Sequence, residues 1–172
     1  MKKTQITPTP KYFDRYINLY DDLELDEAFQ QSLDEFNTFD WEKCRQIGLQ
    51  VYAPGKWTIP DVLQHLLDWE RIMTYRALGF AREIIVKAPG HDEDQMALNA
   101  GASRRSLEDL MQETIILRQS TRHFFNTLTE EQLLKPGICW EAQMSPLALG
   151  FTIVGHQRHH FKVIQERYFP IL

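Results

Sequence analysis

The sequence is poor in the features that mark most specialised protein classes. It has only two cysteines, Cys44 and Cys139, in 172 residues. Neither has a Cys or His close by that would make a compact zinc motif, and two lone thiols fit a reduced, cytosolic chain better than a disulfide framework. No apolar run approaches the roughly 20 residues that a membrane-spanning helix needs. Lys2 and Lys3 are followed by no apolar segment, so no signal peptide is read and no membrane partner is expected. A basic stripe is also missing. The net charge is −5 with His neutral, and Arg104-Arg105 is an isolated pair. A nucleic-acid partner is therefore not expected, because neutralising phosphates takes clustered Lys and Arg. Internal repeats, low-complexity tracts and runs of alternating β-branched residues are absent too.

What is present is an ordinary globular composition, 43% apolar and 25% charged, in a length that fits a single domain over 1–172. Residues 1–15 include Thr-Pro-Thr-Pro and are expected to be extended or loosely ordered, since proline fixes φ and biases its predecessor away from the α region. Leu25, Phe29, Leu33 and Phe36 recur at helical spacing and predict a helix from Asp22 or Leu25 to about Phe39, with a short turn of helix at Trp41–Gln46. Pro54-Gly55 marks a connector. Thr58-Ile59-Pro60-Asp61 then announces a second long helix. Thr58 is the cap, Asp61 completes a capping box, and the helix is expected to run to about Val86, or roughly 40 Å. Lys87–Ala102 reads as a loop with the acidic tract Asp92-Glu93-Asp94. A third helix is expected from Ser103 to Leu128, a brief helical turn at Thr129–Leu134, and a fourth helix from Ser145-Pro146 to Tyr168. Four long helices with unequal connectors predict an all-α four-helix bundle.

Six histidines carry the chemistry. His156 and His160 lie four residues apart, about 40° of azimuth on a helix, so both rings leave the same face one turn apart and can reach one metal ion. Leu149, Thr152, Ile153 and Val163 make the rest of that face apolar or small, with His159 at its edge. The spacing matches the histidines of H-E-x-x-H, but Gln157 stands where the glutamate base belongs, and a zinc-protease reading fails. A third ligand must come from another helix, and His65 is the best candidate. It shares a stripe with Val62, Trp69, Ile72 and Arg76, and a histidine there needs a polar partner. For His65 alone, the competing reading is a hydrogen-bonded core histidine. Asp68, one turn on, can orient a ligating imidazole or face solvent. His123 reads as a surface or boundary residue and His91 as a loop residue.

Several segments together resemble the DinB/YfiT-like family. They are YAPGKWTIPDVLQHLLDWERIMTYRAL (Tyr52–Leu78), PGHDEDQM (Pro89–Met96) and GFTIVGHQRHHFKVIQERY (Gly150–Tyr168). With the helical spacing they cover nearly the whole chain from Tyr16. The resemblance implies an up-down-down-up four-helix bundle, a homodimer, and a divalent nickel or zinc ion held by three histidines. Mapped onto this sequence, those are His65, His156 and His160. It also brings in relatives that are thiol S-transferases using bacillithiol, mycothiol or glutathione. One departure is His91, where an aromatic residue is expected before Asp92-Glu93-Asp94, so the lining of the site entrance differs.

Three functions follow as expectations. The first is a metal-dependent transferase that activates a low-molecular-weight thiol for attack on an electrophile, with Trp69, Tyr75 or Arg76 shaping the pocket and neither cysteine acting as nucleophile. The second is metal-dependent hydrolysis. The third is a non-catalytic metal-binding or stress-associated bundle, which predicts no substrate-sized pocket.

Overall fold

Side-chain caps set where the long helices begin. The computed structural model describes residues 1–172 and contains α1 (Asp14–Ile17), α2 (Leu25–Thr38), α3 (Trp41–Ile47), α4 (Ile59–Ala81), α5 (Glu93–Ala100), α6 (Leu107–Asn126), α7 (Glu130–Leu134) and α8 (Pro146–Val163). At α4, the Thr58 hydroxyl accepts from the Asp61 amide while the Asp61 carboxylate accepts from the Thr58 amide at 2.9 Å, closing the expected capping box. Ser145 caps α8 by accepting from the Ala148 amide at 3.2 Å, with Pro146 just behind it. Ser106 caps α6 in the same way. A single π-helical turn, Ile164–Tyr168, continues α8.

Helices α2, α4, α6 and α8 form the bundle. Both α4 and α2 pack on α6 and on α8, while α1 lies across α8. The buried apolar residues fall into two groups. One gathers around Phe29, Phe80, Phe125 and Phe151, the other around Phe36, Trp41, Leu63 and Phe161. Between them lie side chains of opposite character. Arg118 on α6 makes a forked ion pair with Glu70 on α4, Nε to Oε1 at 3.0 Å and Nη2 to Oε2 at 2.9 Å. The same guanidinium donates to the Ser32 hydroxyl of α2 at 2.5 Å, and Gln157 of α8 donates to the Ser32 carbonyl at 2.7 Å. All four residues are at most 3% exposed. One polar layer therefore links all four helices.

Several sequence-based expectations differ from this structure. Residues 1–15 carry no long element but pack onto the bundle. The Met1 amino group pairs with Glu24, Lys2 bridges Glu24, and Ile6, Phe13 and Tyr16 are buried. Helix α4 stops at Ala81, because Glu83 takes a left-handed φ of 57° and the amides of Ile84 and Ile85 turn back to the Gly79 carbonyl. The expected loop after it holds α5, capped by Asp92. A small sheet is also present. β1 (Lys87–Ala88) runs parallel to β2 (Gly137–Cys139), which pairs antiparallel with β3 (Ala142–Met144). Strands of two or three residues are too short to show an alternating pattern.

Arg118→Met leaves the Glu70 carboxylate buried without its partner and is expected to cost about 3–5 kcal/mol. Urea denaturation checks this, and the double variant Glu70→Leu/Arg118→Met is expected to recover most of the loss.

Candidate metal centre

His65 projects from the first half of α4 and His156 and His160 from the second half of α8, where these two helices pack together. Their Nε2 atoms converge, with His65 3.1 Å and His160 3.0 Å from His156. All three ligand atoms lie within 4.8 Å of one another. Three nitrogen donors aimed at one point suit a divalent ion, and the borderline-soft imidazole is a common ligand for zinc, nickel, copper and iron. His65 and His156 are buried and His160 is half-buried.

The surroundings explain how the rings are held. The Trp57 ring packs 4.7 Å from His65, and the Trp57 carbonyl accepts from the Tyr168 hydroxyl at 2.5 Å. The π-helical turn after α8 therefore braces the segment leading into α4. On the other side, the Tyr16 ring meets His156 edge-on at 5.1 Å and His159 at 5.4 Å. That approach requires Gly155, because a Cβ there would lie 2.1 Å from the Tyr16 carbonyl oxygen. Burial pushes the His65 ring down to about 4. It also holds His156 and His160 well below the usual histidine range, with their neighbouring rings adding to the effect. Neutral imidazoles are the form that binds metal.

His156 forms part of the wall of a cleft of about 660 Å³, with Tyr12, Phe13, Tyr16, Trp69, Met73, Arg76, His91 and Trp140 among its lining. Of the residues that the sequence pointed to, the structure brings Trp69, Arg76 and His91 to this cleft, and the Trp69 and His91 rings lie 6.2 Å apart. Asp68 does not reach a histidine. It accepts from the Gln64 amide group at 2.9 Å along the surface of α4. Tyr75 is exposed and off the cleft, and Gln157 faces Ser32. Cys44 and Cys139 are buried, with thiols pushed up to about 12 and about 11, so neither is a nucleophile. Sequence reading missed Tyr12, Phe13 and Tyr16. For Tyr16 the available signal was the Gly155-His156 pair, since glycine beside a buried ligand marks a close backbone approach.

A family model described as the DinB superfamily matches residues 9–164. The chain belongs to the DinB superfamily. Among solved structures, this DinB chain is similar to YfiT from Bacillus subtilis at 19% sequence identity and a TM-score of 0.69, covering 88% of this chain and 93% of the other. That protein is described as "a probable metal-dependent hydrolase with an unusual four-helix bundle topology". The likeness establishes a shared bundle fold. No curated protein matches the DinB chain in sequence. No helix is long and apolar enough to cross a membrane.

In metal-stripped protein the three rings stay neutral when folded but take up protons once unfolded below about pH 6.5. The unfolded chain then binds more protons, so this part of the stability is full above about pH 6.5 and is lost as pH falls toward 4. Urea midpoints measured from about pH 7.5 down to about 4.5 are expected to fall. The fall is expected to be shallower in His160→Gln, which removes one of the titrating rings.

Proposed function

We propose that the protein is a metal-dependent enzyme in which His65, His156 and His160 hold one divalent ion, zinc or nickel, and that it activates a low-molecular-weight thiol for attack on an electrophile. The observation that carries this is the convergence of three neutral, largely buried Nε2 atoms, one of which, on His156, belongs to the wall of an aromatic-lined cleft. Three protein ligands leave a coordination position open, as in catalytic rather than structural sites. A divalent ion there supplies the positive charge that lets a thiol or a water lose its proton near neutral pH. The chain's own residues orient the three rings, line the cleft with Tyr12, Phe13, Trp69 and Trp140, and commit Gln157 to Ser32. Asp92 and Glu93 sit on the loop side of the cleft, and Asp92 caps α5. A thiol with an ordinary pKa of about 8.5 needs little help beyond a cation, whereas water, at about 15.7, gains more from a positioned base. That difference favours the thiol.

Hydrolysis is the second reading, and His91 is the observation in its favour. It lines the cleft, and partial desolvation with the nearby Arg76 guanidinium lowers its pKa below the usual histidine value, which favours a neutral imidazole able to take a proton from water. The non-catalytic reading required no substrate-sized pocket, and a cleft of about 660 Å³ weighs against it.

The same reading takes the bundle as up-down-down-up. Asp26 with Arg122 and Ser32 with Arg118 support α2 running against α6. Leu25 against Gly150 and Ser32 with Gln157 support α2 running alongside α8. Gln64 with Arg105 and Glu70 with Arg118 support α4 running in the direction of α6. A homodimer in the cytoplasm belongs to the same proposal.

Elemental analysis of wild type, His65→Ala and His160→Ala tests the site. About one ion per chain is expected in wild type and far less in either variant, and equal content in all three removes the assignment. With zinc or nickel added, conjugation of monochlorobimane to glutathione, bacillithiol or mycothiol is expected to accelerate. Cleavage of p-nitrophenyl acetate without conjugation would favour hydrolysis instead.

A further inference from the structure

Three charged side chains are buried in this protein, Glu70, Arg76 and Arg118. Glu70 and Arg118 neutralise each other. Arg76 is 3% exposed and has no carboxylate within salt-bridge distance. Its one hydrogen bond to oxygen goes to the Pro89 carbonyl, at 2.6 Å from Nη2. Cys139 lies beside it, but burial pushes that thiol up to about 11, so it adds no negative charge at neutral pH. A buried guanidinium without a counter-charge carries a large desolvation penalty. This one sits in the wall of the same cleft as His156.

The spacing along α4 links the two. The Trp69 ring lies 6.2 Å from the His65 ring and 5.5 Å from Cζ of Arg76. A small molecule resting on Trp69 in this cleft therefore meets the triad through His156 at one end and the guanidinium at the other. Trp69 also has a buried indole N–H without a partner. The acidic groups that share the cleft are Asp92 and Glu93. The Asp92 carboxylate is used by the Gln95 amide at 2.9 Å, and Glu93 is exposed.

We propose that Arg76 is the binding residue for a carboxylate on the substrate, whose reacting end lies at the three histidines with Trp69 as the floor between. This rests on the metal-centre reading for the position of the reacting end. A guanidinium presents paired donors that match a carboxylate, and the pair is charge-assisted. A monoanion balances the single positive charge. A dianionic phosphate overshoots it and is repelled by Asp92 and Glu93 at the same cleft.

The test is equilibrium binding, so it does not depend on turnover. The probes are 3-phenylpropionate, 3-phenylpropanol and phenyl phosphate, titrated into the zinc-loaded protein and followed by tryptophan fluorescence and calorimetry. The acid is expected to bind about tenfold tighter than the alcohol. Arg76→Gln is expected to abolish that preference while zinc content is unchanged, and Arg76→Lys to keep part of it. His160→Ala, which removes a metal ligand, is expected to retain the acid preference. The metal reading can thus fail on elemental analysis without this one failing. Equal binding of acid and alcohol by wild type overturns the proposal, and that comparison needs no variant to fold. A folded Arg76→Gln that keeps the preference overturns it as well. Tighter binding of phenyl phosphate than of the acid overturns the carboxylate assignment.

Discussion

The forked pair of Glu70 and Arg118, with Ser32 and Gln157 joined to it, is the constraint on which the rest of the structure depends. Apolar packing alone tolerates small slides and rotations between helices, because hydrocarbon contacts are non-directional. A buried ion pair does not, since a shift of one residue would strand a charge. This one crosses from α4 to α6 and reaches α2 and α8 through Ser32. It sits between the two apolar groups of the core and fixes how far each helix can slide along the others. The position of His65 on α4 relative to His156 on α8 follows from that, because Glu70 and Gln157 are their near neighbours in sequence.

The rotation of α8 follows too. Successive residues on a helix point about 100° apart. With Gln157 turned to the Ser32 carbonyl, His156 must face another way, and the face left to it is the one that packs on α4. The residue that breaks the zinc-protease pattern is therefore a structural anchor of the histidine beside it. A glutamate at this position would find a carbonyl acceptor, not a donor, and would sit close to the Glu70 carboxylate's layer. The same packing explains the neutrality of the rings. They are kept uncharged by burial rather than by a base, and the chemistry open to them is that of a neutral ligand set.

Local chemistry was legible in the sequence, and long-range contact was not. The Thr58–Asp61 box and the Ser145-Pro146 start were readable because caps act within three or four residues. The His156/His160 pair was readable because helical geometry is fixed, and His65 stood out as a polar interruption of an apolar stripe. The end of α4 was not readable. Nothing in Ala81–Val86 is a helix breaker, and the turn depends on the Ile85 side chain folding back over Gly79. The small sheet was hidden because β1 and β2 are 48 or more residues apart in sequence and each is only two or three residues long. Glu70 and its partner Arg118 are 48 residues apart, and neither carries a local mark of the other. The uncompensated charge on Arg76 has no local mark either, because it is defined by what is missing around it in three dimensions.

The cleft shows why such non-local pieces matter. One wall comes from α4 and α8, and these also hold the histidines. The opposite wall comes from short pieces that have little stability of their own. Tyr12, Phe13 and Tyr16 come from the N-terminal segment, His91 from the turn after β1, and Trp140 from the bend between β2 and β3. They are tied down at two points. The first is seated on Gly155, the second and third are tied together by the Trp140 amide donating to the Ala88 carbonyl at 3.0 Å. A pair of long helices therefore sets the ligand geometry, while short segments from elsewhere in the chain set what fits beside it. Such a division lets the ligand end stay fixed while the lining changes. The departure at His91 falls on the lining side of it, away from the three nitrogen atoms.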